Sequence, residues 1–372
     1  MKTLSKSRFV SGVQCEKKLW YSYYRKDLQL PTDEQTQAIF DLGHQIGNLA
    51  QNRFPNGKDA TPEDFSDFSP SIEKTKLWIA EEVETIYEAT FTAKNALCML
   101  DILHRMNDEI WAIEVKNSTS VKDYHLTDAS LQYFVMKEAG YAPDKFFLMH
   151  INNQYIKNGE LTDEFFHLED ITDKVLSKQT WVEENLERLL VMLENKQEPN
   201  VSIGAHCSSP FACDFVHHCW KHIPENSVFE LYRGGNKAWE LYKQGILKIE
   251  DIEDDFPLTH FQHLQRKGLR NQEQYINKEA IKNMISSWQF PLYFFDFETV
   301  FPAIPVLDGT RPYQQVPFQY SLNISRNLKP PSYRKKSSAF AGPRKPNRNC
   351  ERRIKKNDFF NEKYIYIFVT IV

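Results

Sequence analysis

The chain has 372 residues, 41% hydrophobic and 26% charged, which is ordinary for a globular protein and long enough for two domains or one large domain with an appendage. It has no apolar run of membrane-spanning length and no apolar leader at its start, so no membrane partner is expected and a cytoplasmic location follows. The net charge of −4 hides an asymmetry: residues 1–325 carry 33 Lys and Arg against 47 Asp and Glu, while 326–372 carry 13 against 3, so bulk charge of the acidic body gives no support to nucleic-acid binding.

The first 55 residues read as helices. In LSKSRFVSGVQCEKKLWYSYY, Phe9, Val13, Leu19, Trp20 and Tyr23 recur at roughly helical spacing. A second helix fits 33–53, from the cap-like Thr32 to Arg53, ahead of Pro55, and residues 55–71 are loop-like. From residue 84 the period changes to two. ETIYEATF, ALCMLDILHRM and EIWAIEVKN are predicted strands, the last two joined by a polar NDE turn as in a hairpin. A helix over 124–140 ends at Gly140, KFFLMHI is a strand, and WVEENLERLLVMLEN is an amphipathic helix. Then come a cysteine-rich stretch, helices over about 227–288, and the apolar strand PLYFFDFET. Beyond about residue 325 the chain is basic, Pro-rich and aperiodic and is expected to be disordered, with the final IYIFVTIV as a stray, aggregation-prone strand.

The chemistry concentrates in LDILHRMNDEIWAIEVKNS. Asp101 lies on one strand and Glu114-Val115-Lys116 on the next, and residues two apart on a strand point to the same face. A hairpin brings Asp101 onto that face as well. Carboxylates are the preferred ligands of Mg²⁺ or Mn²⁺, so Asp101 and Glu114 are candidate metal ligands, with the Val115 carbonyl as a further donor. Such an ion neutralises a phosphodiester and lowers the pKa of bound water. Lys116 is placed to orient that water or to stabilise developing charge. The bland alternative is a solvated charged strand face. Against it, both acids are embedded in apolar strands, where unpaired charge is costly. Gln132, on the following helix, is spaced to face the site.

Asp101, twelve residues, then Glu114-Val115-Lys116 and a helix with Gln132, resembles the PD-(D/E)XK superfamily, in particular the RecB-like nucleases. The likeness extends to a bacterial domain family of unknown function in which such a nuclease precedes an RNase H-like strand. It covers about residues 5–325. What it implies is a restriction-endonuclease-like fold, hydrolysis of nucleic acid with DNA ahead of RNA, and an auxiliary acid at Glu88 in IYEATF, whose plain alternative is an ordinary strand-edge charge. Two features depart from the family pattern. The early helix offers Gly43 and Gly47 with His44 out of register for the usual histidine ligand, and the usual Gln-x-x-x-Tyr runs from Gln132 to Met136.

Six cysteines occur, and three of them, Cys207, Cys213 and Cys219, fall at equal six-residue steps. Thiolates bind soft metals, so a metal centre is expected, with buried structural cysteines as the plain alternative. The spacing is not that of common zinc fingers, although His206, His217, His218 or His222 would complete a zinc site. One early cysteine, Cys15, together with three late ones resembles the iron–sulfur RecB-like nucleases. That resemblance implies a structural 4Fe–4S cluster on Cys15, Cys207, Cys213 and Cys219, pinning the two ends of the domain, with zinc as the alternative. Cys98 reads as a core residue and Cys350 as a free thiol.

Asp296 and Glu298 share one face of PLYFFDFET and resemble the first motif of DnaQ-like exonucleases. That chemistry needs further acids to hold two metals, and no later segment supplies them. The tail therefore reads as a truncated or frameshifted remnant, with a genuine anion-binding tail as the alternative. The expected α/β architecture is a restriction-endonuclease-like mixed sheet flanked by helices with the cysteine cluster (1–225), a helical linker (226–289), the start of an RNase H-like segment (290–325) and the basic tail (326–372). The expected activity is a Mg- or Mn-dependent DNA nuclease. The competing expectations are a nucleic-acid-binding module of nuclease ancestry and an iron–sulfur electron carrier. No protein partner is legible.

Overall fold

The computed structural model describes residues 2–326 and, as backbone, 336–339. It forms two compact units, Met1–Ile151 with Phe166–Glu273, and Asn152–Phe165 with Gln274–Val372. One division, after Glu273, falls inside the stretch read from sequence as a linker, while residues 152–165 leave the 1–225 segment read as one domain.

The first unit is built on a seven-stranded mixed sheet. Its strands are β1 (Leu4–Ser5), β2 (Lys58–Asp59), β3 (Thr85–Ala93), β4 (Ala96–Met106), β5 (Glu109–Lys116), β6 (Lys145–Ile151) and β7 (Phe166–Asp170). They lie in the order β2-β3-β4-β5-β6-β7, with β1 alongside β4. The β3–β4, β4–β5 and β6–β7 pairs are antiparallel, and β2–β3 and β5–β6 are parallel. All three strands read between 84 and 117 are present. Asn107, at φ +56°, makes the tight β4–β5 turn, a backbone region that Asn tolerates better than most residues. The apolar run of β6 is buried almost throughout, as expected of a central strand.

Helices accompany this sheet, α1 (Lys6–Gln14), α2 (Glu16–Tyr24), α3 (Glu34–Gln51), α4 (Ser69–Ala80), α5 (Asp123–Glu138), α6 (Thr172–Leu176) and α7 (Gln179–Glu194), and α8 (Val216–Cys219), α9 (Asn236–Lys243) and α10 (His260–Asn271) follow in the chain. In α7, Val182, Leu186, Leu189 and Leu193 form the buried stripe that its periodicity predicts. The side chains of α1, α5 and α7 share one core with β3 and β4. Gly12 on α1 sits so close to Leu189 that an added Cβ would lie 2.7 Å from its methyl carbon.

Three local expectations are corrected. The continuous N-terminal helix is broken at Cys15, whose backbone is extended (φ −163°, ψ 117°). Its N–H donates to Ser11 O and its carbonyl accepts from Leu19 N–H, so one residue ends α1 and begins α2. The cap of α3 is Asp33 rather than Thr32, through a 2.7 Å bond from Thr36 N–H. Helix α4 starts inside the stretch read as loop, and α6 and β7 were not foreseen. The segment from Val228 to Ile252 also has an apolar core of its own.

The second unit contains α11 (Lys278–Ser286) and a three-stranded antiparallel sheet of β8 (Leu292–Val300), β9 (Val316–Ser325) and β10 (Lys336–Ala339), ordered β10-β9-β8. Strand β10 falls where disorder was expected, because pairing with β9 satisfies backbone groups that an edge strand leaves open. The rest of the basic tail, with Cys350 and IYIFVTIV, lies outside the described residues.

Candidate active site

The β4–β5 hairpin places Ile102 opposite Ile113, and continuing that register sets Asp101 opposite Glu114. Strand periodicity then puts Asp101, Glu114 and Lys116 on one face. Helix α5 crosses that face with Asp128 and Gln132, four residues apart and therefore on one side of the helix. Glu114 is only 1% exposed. Its Oε1 accepts from Lys116 Nζ at 2.6 Å and from Lys6 Nζ at 2.8 Å, and its Oε2 from Gln132 Nε2 at 2.8 Å. Lys116 Nζ also donates to Asp128 Oδ2 at 2.6 Å. Asp101 Oδ2 accepts the Val115 N–H at 2.6 Å. The four residues read as catalytic, Asp101, Glu114, Lys116 and Gln132, thus meet in one cluster.

Glu88 joins them. It falls between the pairs Tyr87–Ile102 and Ala89–Leu100, opposite Asp101, with φ +53°. That conformation is unusual for a glutamate and marks a local kink in β3. Burial and the repulsion of Asp101 push its carboxyl up to about 8. Burial and repulsion by Glu114 likewise lift Asp101 to about 6. Burial would also raise Glu114, but the ammonium groups of Lys116 and Lys6 overcome this and hold it well below the usual carboxylate range. Burial opposes the charge on Lys116, and the carboxylates of Asp128 and Glu114 more than restore it. Four carboxylates therefore face two ammonium groups, and the two least compensated acids, Glu88 and Asp101, favour protons. A divalent cation would supply the missing charge.

The donor set fits a hard cation. Two buried acceptors in the cluster, Asp128 Oδ1 and Gln132 Oε1, have no hydrogen-bond partner. Buried acceptors of this kind are normally satisfied by water or an ion. Glu88, Asp101 and Glu114 do not, however, bring three ligand oxygens within 4.8 Å of one another.

Lys6, Asp128 and His125 were missed from sequence. Asp128 had a signal, its i, i+4 relation to Gln132. Lys6 had none, because it reaches Glu114 across 108 residues. His125 is buried near Lys116, and burial together with that ammonium lowers its pKa to about 4, so the ring is neutral. Its Nδ1 accepts the Lys122 N–H at 3.1 Å. His44 on α3 is exposed, and an added side chain at Gly43 or Gly47 would meet open space. Met136 is fully buried in the core.

Cys15, Cys207, Cys213 and Cys219 line one cavity. Cys15 reaches it from the break between α1 and α2, and Cys219 ends α8. Gln14 Nε2 donates to the carbonyls of His206 and Phe211, both at 2.7 Å, tying the N-terminal helix to the cysteine segment. Burial pushes Cys213 up to about 11 and raises Cys15 and Cys219, and Cys207 lies close enough to add to all three shifts. Lys17 and Lys18 line the cavity too and partly offset these shifts, and four convergent thiols are a donor set suited to a soft metal. His206 lines the same cavity; Cys98 is fully buried in β4, apart from it.

In the second unit, Asp296 and Glu298 are exposed on β8 opposite Ser321 and Gln319. Among the described residues, β9 brings no carboxylate opposite them.

Residues 293–365 match the family model "Domain of unknown function (DUF2779)". No curated protein matches. The solved structure described as "Crystal structure of SSO0001" is similar at 14% identity, over 59% of this chain and 86% of that one, with a TM-score of 0.33, too slight a likeness to carry an argument. No helix among the described residues is long and apolar enough to cross a membrane.

Proposed function

We propose that the first unit is a divalent-metal-dependent nuclease of the RecB-like, restriction-endonuclease-like kind, acting on DNA, with a structural iron–sulfur cluster in the cysteine cavity. The observation that carries this is the meeting of Asp101, Glu114 and Lys116 on one sheet face beneath Gln132. Asp101 and Glu114 would hold Mg²⁺ or Mn²⁺, with Glu88 as an auxiliary acid. When bound, that ion supplies charge neutralisation at the phosphodiester and an acidified water. Lys116, anchored by Glu114 and Asp128, is held to stabilise negative charge on the reacting phosphate. Gln132 fixes the Glu114 carboxylate by holding its second oxygen. Local cations, not bulk charge, must bind DNA in so acidic a body.

For the cysteines, Cys15, Cys207, Cys213 and Cys219 around one cavity would hold a cluster through four thiolates, with zinc as the alternative.

A second reading, DNA binding without cleavage, is favoured by Lys6, whose ammonium takes the Glu114 oxygen that a metal would use. Incubating the protein with single- and double-stranded DNA and Mg²⁺ or Mn²⁺ separates the two. Metal-dependent cleavage lost in Glu114→Gln supports the nuclease; binding without cleavage under every condition supports the alternative.

A further inference from the structure

A second constellation stands one strand beyond Lys116. Strand β5 pairs Lys116 with His150 on β6, and β6 pairs His150 with His167 on β7. Glu169, two residues past His167, shares its face. Among the described residues, His150, His167 and Glu169 are the set of His, Cys, Asp or Glu whose ligand atoms all lie within 4.8 Å of one another.

The details suit a metal better than an ion pair. His150 is 6% exposed, and its Nδ1 lies 3.2 Å from the Ile151 carbonyl oxygen, an acceptor. Nδ1 therefore carries a proton, and in the neutral ring Nε2 is the free ligand atom. That atom faces Glu169 Oε2 at 3.8 Å. With the ring neutral these are two acceptors facing each other, an arrangement that a cation between them relieves. The separation is too long for a hydrogen bond, which needs about 2.7–3.2 Å, but leaves room for an ion about 2 Å from each atom. Lys174 Nζ holds the other oxygen, Glu169 Oε1, at 2.8 Å and so aims Oε2 at the ring. This is the outer-shell anchoring that metal-binding carboxylates and imidazoles commonly show.

We propose that His150, His167 and Glu169 bind a divalent transition metal of the zinc class. Two imidazoles with one carboxylate select Zn²⁺, Co²⁺ or Ni²⁺ over Mg²⁺ and Ca²⁺, which take oxygen ligands. Three protein donors leave a coordination position for water, and the exposure of His167 opens that position to solvent. The site is independent of the nuclease reading and shares no ligand with it or with the cysteine cavity.

The test is equilibrium dialysis of the full chain, with its cysteine cavity loaded as isolated, against Zn²⁺ in excess Mg²⁺. His167→Ala and Glu169→Gln each alter an accessible side chain, and far-UV circular dichroism checks their folding. Each variant is expected to bind one equivalent of zinc fewer than the parent, with equal cysteine-bound metal. His167→Cys gives a gain-of-signal control: Co²⁺ bound there should acquire a thiolate-to-cobalt charge-transfer band that the parent's site lacks. Unchanged zinc stoichiometry in both loss variants, or no new band in the cysteine variant, overturns the proposal, as does displacement of the zinc by Mg²⁺.

Discussion

Glu114 carries two cations and an amide on one carboxylate, so substitutions here disturb both fold and chemistry. Glu114→Ala would leave Lys6 and Lys116 without their shared partner, and stranding buried charge typically costs about 3–5 kcal/mol, less here because both lysines are partly exposed. Glu114→Gln keeps the shape and is the cleaner variant. Its cleavage rate should fall at least ~10²-fold, measured on labelled DNA, with the melting temperature reported beside it. Lys6→Met removes one of two compensating charges. Metal-free, this variant should melt lower than the parent, and Mg²⁺ should raise its melting temperature by more, because ammonium and metal ion serve the same acids; an equal Mg²⁺ shift in both proteins contradicts that view. Glu88 makes a pH prediction. Its carboxyl sits near 8 in the fold against an ordinary 4.5, so the folded state holds a proton that the unfolded state releases. Metal-free stability should therefore decline as pH rises from about 4.5 to about 8, a decline Glu88→Gln should flatten. Asp101 adds a fall between about 3.8 and 6. Glu114, shifted downward, acts oppositely and only below about 4.5. Chelator-treated protein in chemical denaturation across this range reports all three.

At the scale of elements, the two helices that meet at Cys15 and the segment that carries Cys207, Cys213 and Cys219 are joined through one cavity. With the proposed cluster in that cavity, Cys15→Ser should lose it, and with it at least about 2 kcal/mol of stability, because loss of a structural metal is among the larger destabilising mechanisms. Cys98→Ala should keep it. Iron content and visible charge-transfer absorption of anaerobically purified protein check both; colourless protein with stoichiometric zinc would replace the cluster assignment by the zinc alternative. How far such elements are legible depends on how local their causes are. Asp101, Glu114 and Lys116 lie in one hairpin, so strand period and a short turn fix their convergence without help from the rest of the chain. The break at Cys15 is different: the apolar spacing through FVSGVQCEKKLW continues across it, and only the helix boundary itself shows the change of direction. Lys6 and the His150–His167 pair depend on contacts between distant or separately bounded segments, and periodicity does not record those.

For the whole molecule, the acidic pair Asp296 and Glu298 belongs to a different unit from Asp101 and Glu114. The pair is exposed, and β9 sets Ser321 and Gln319 against it rather than acids. Asp296→Ala combined with Glu298→Ala should leave cleavage by the first unit unchanged; a loss greater than about tenfold would assign chemistry to the second sheet. The division into an acidic body and a basic tail was legible from charge alone. That β9 would recruit Lys336–Ala339 as a neighbour was not, because an edge strand takes a partner by backbone geometry, which side-chain composition does not encode. Lys6 opens α1 and Cys15 closes it, nine residues apart and so about 13 Å along its axis. A rigid helix of fixed length then acts as a spacer, and whatever sets the position of Cys15 also sets how far Lys6 reaches toward Glu114. On the proposed metal centre, oxidative loss of the metal would slacken that spacer from its far end, so oxidant sensitivity should appear first as faster amide hydrogen exchange along α1, before the sheet itself loosens.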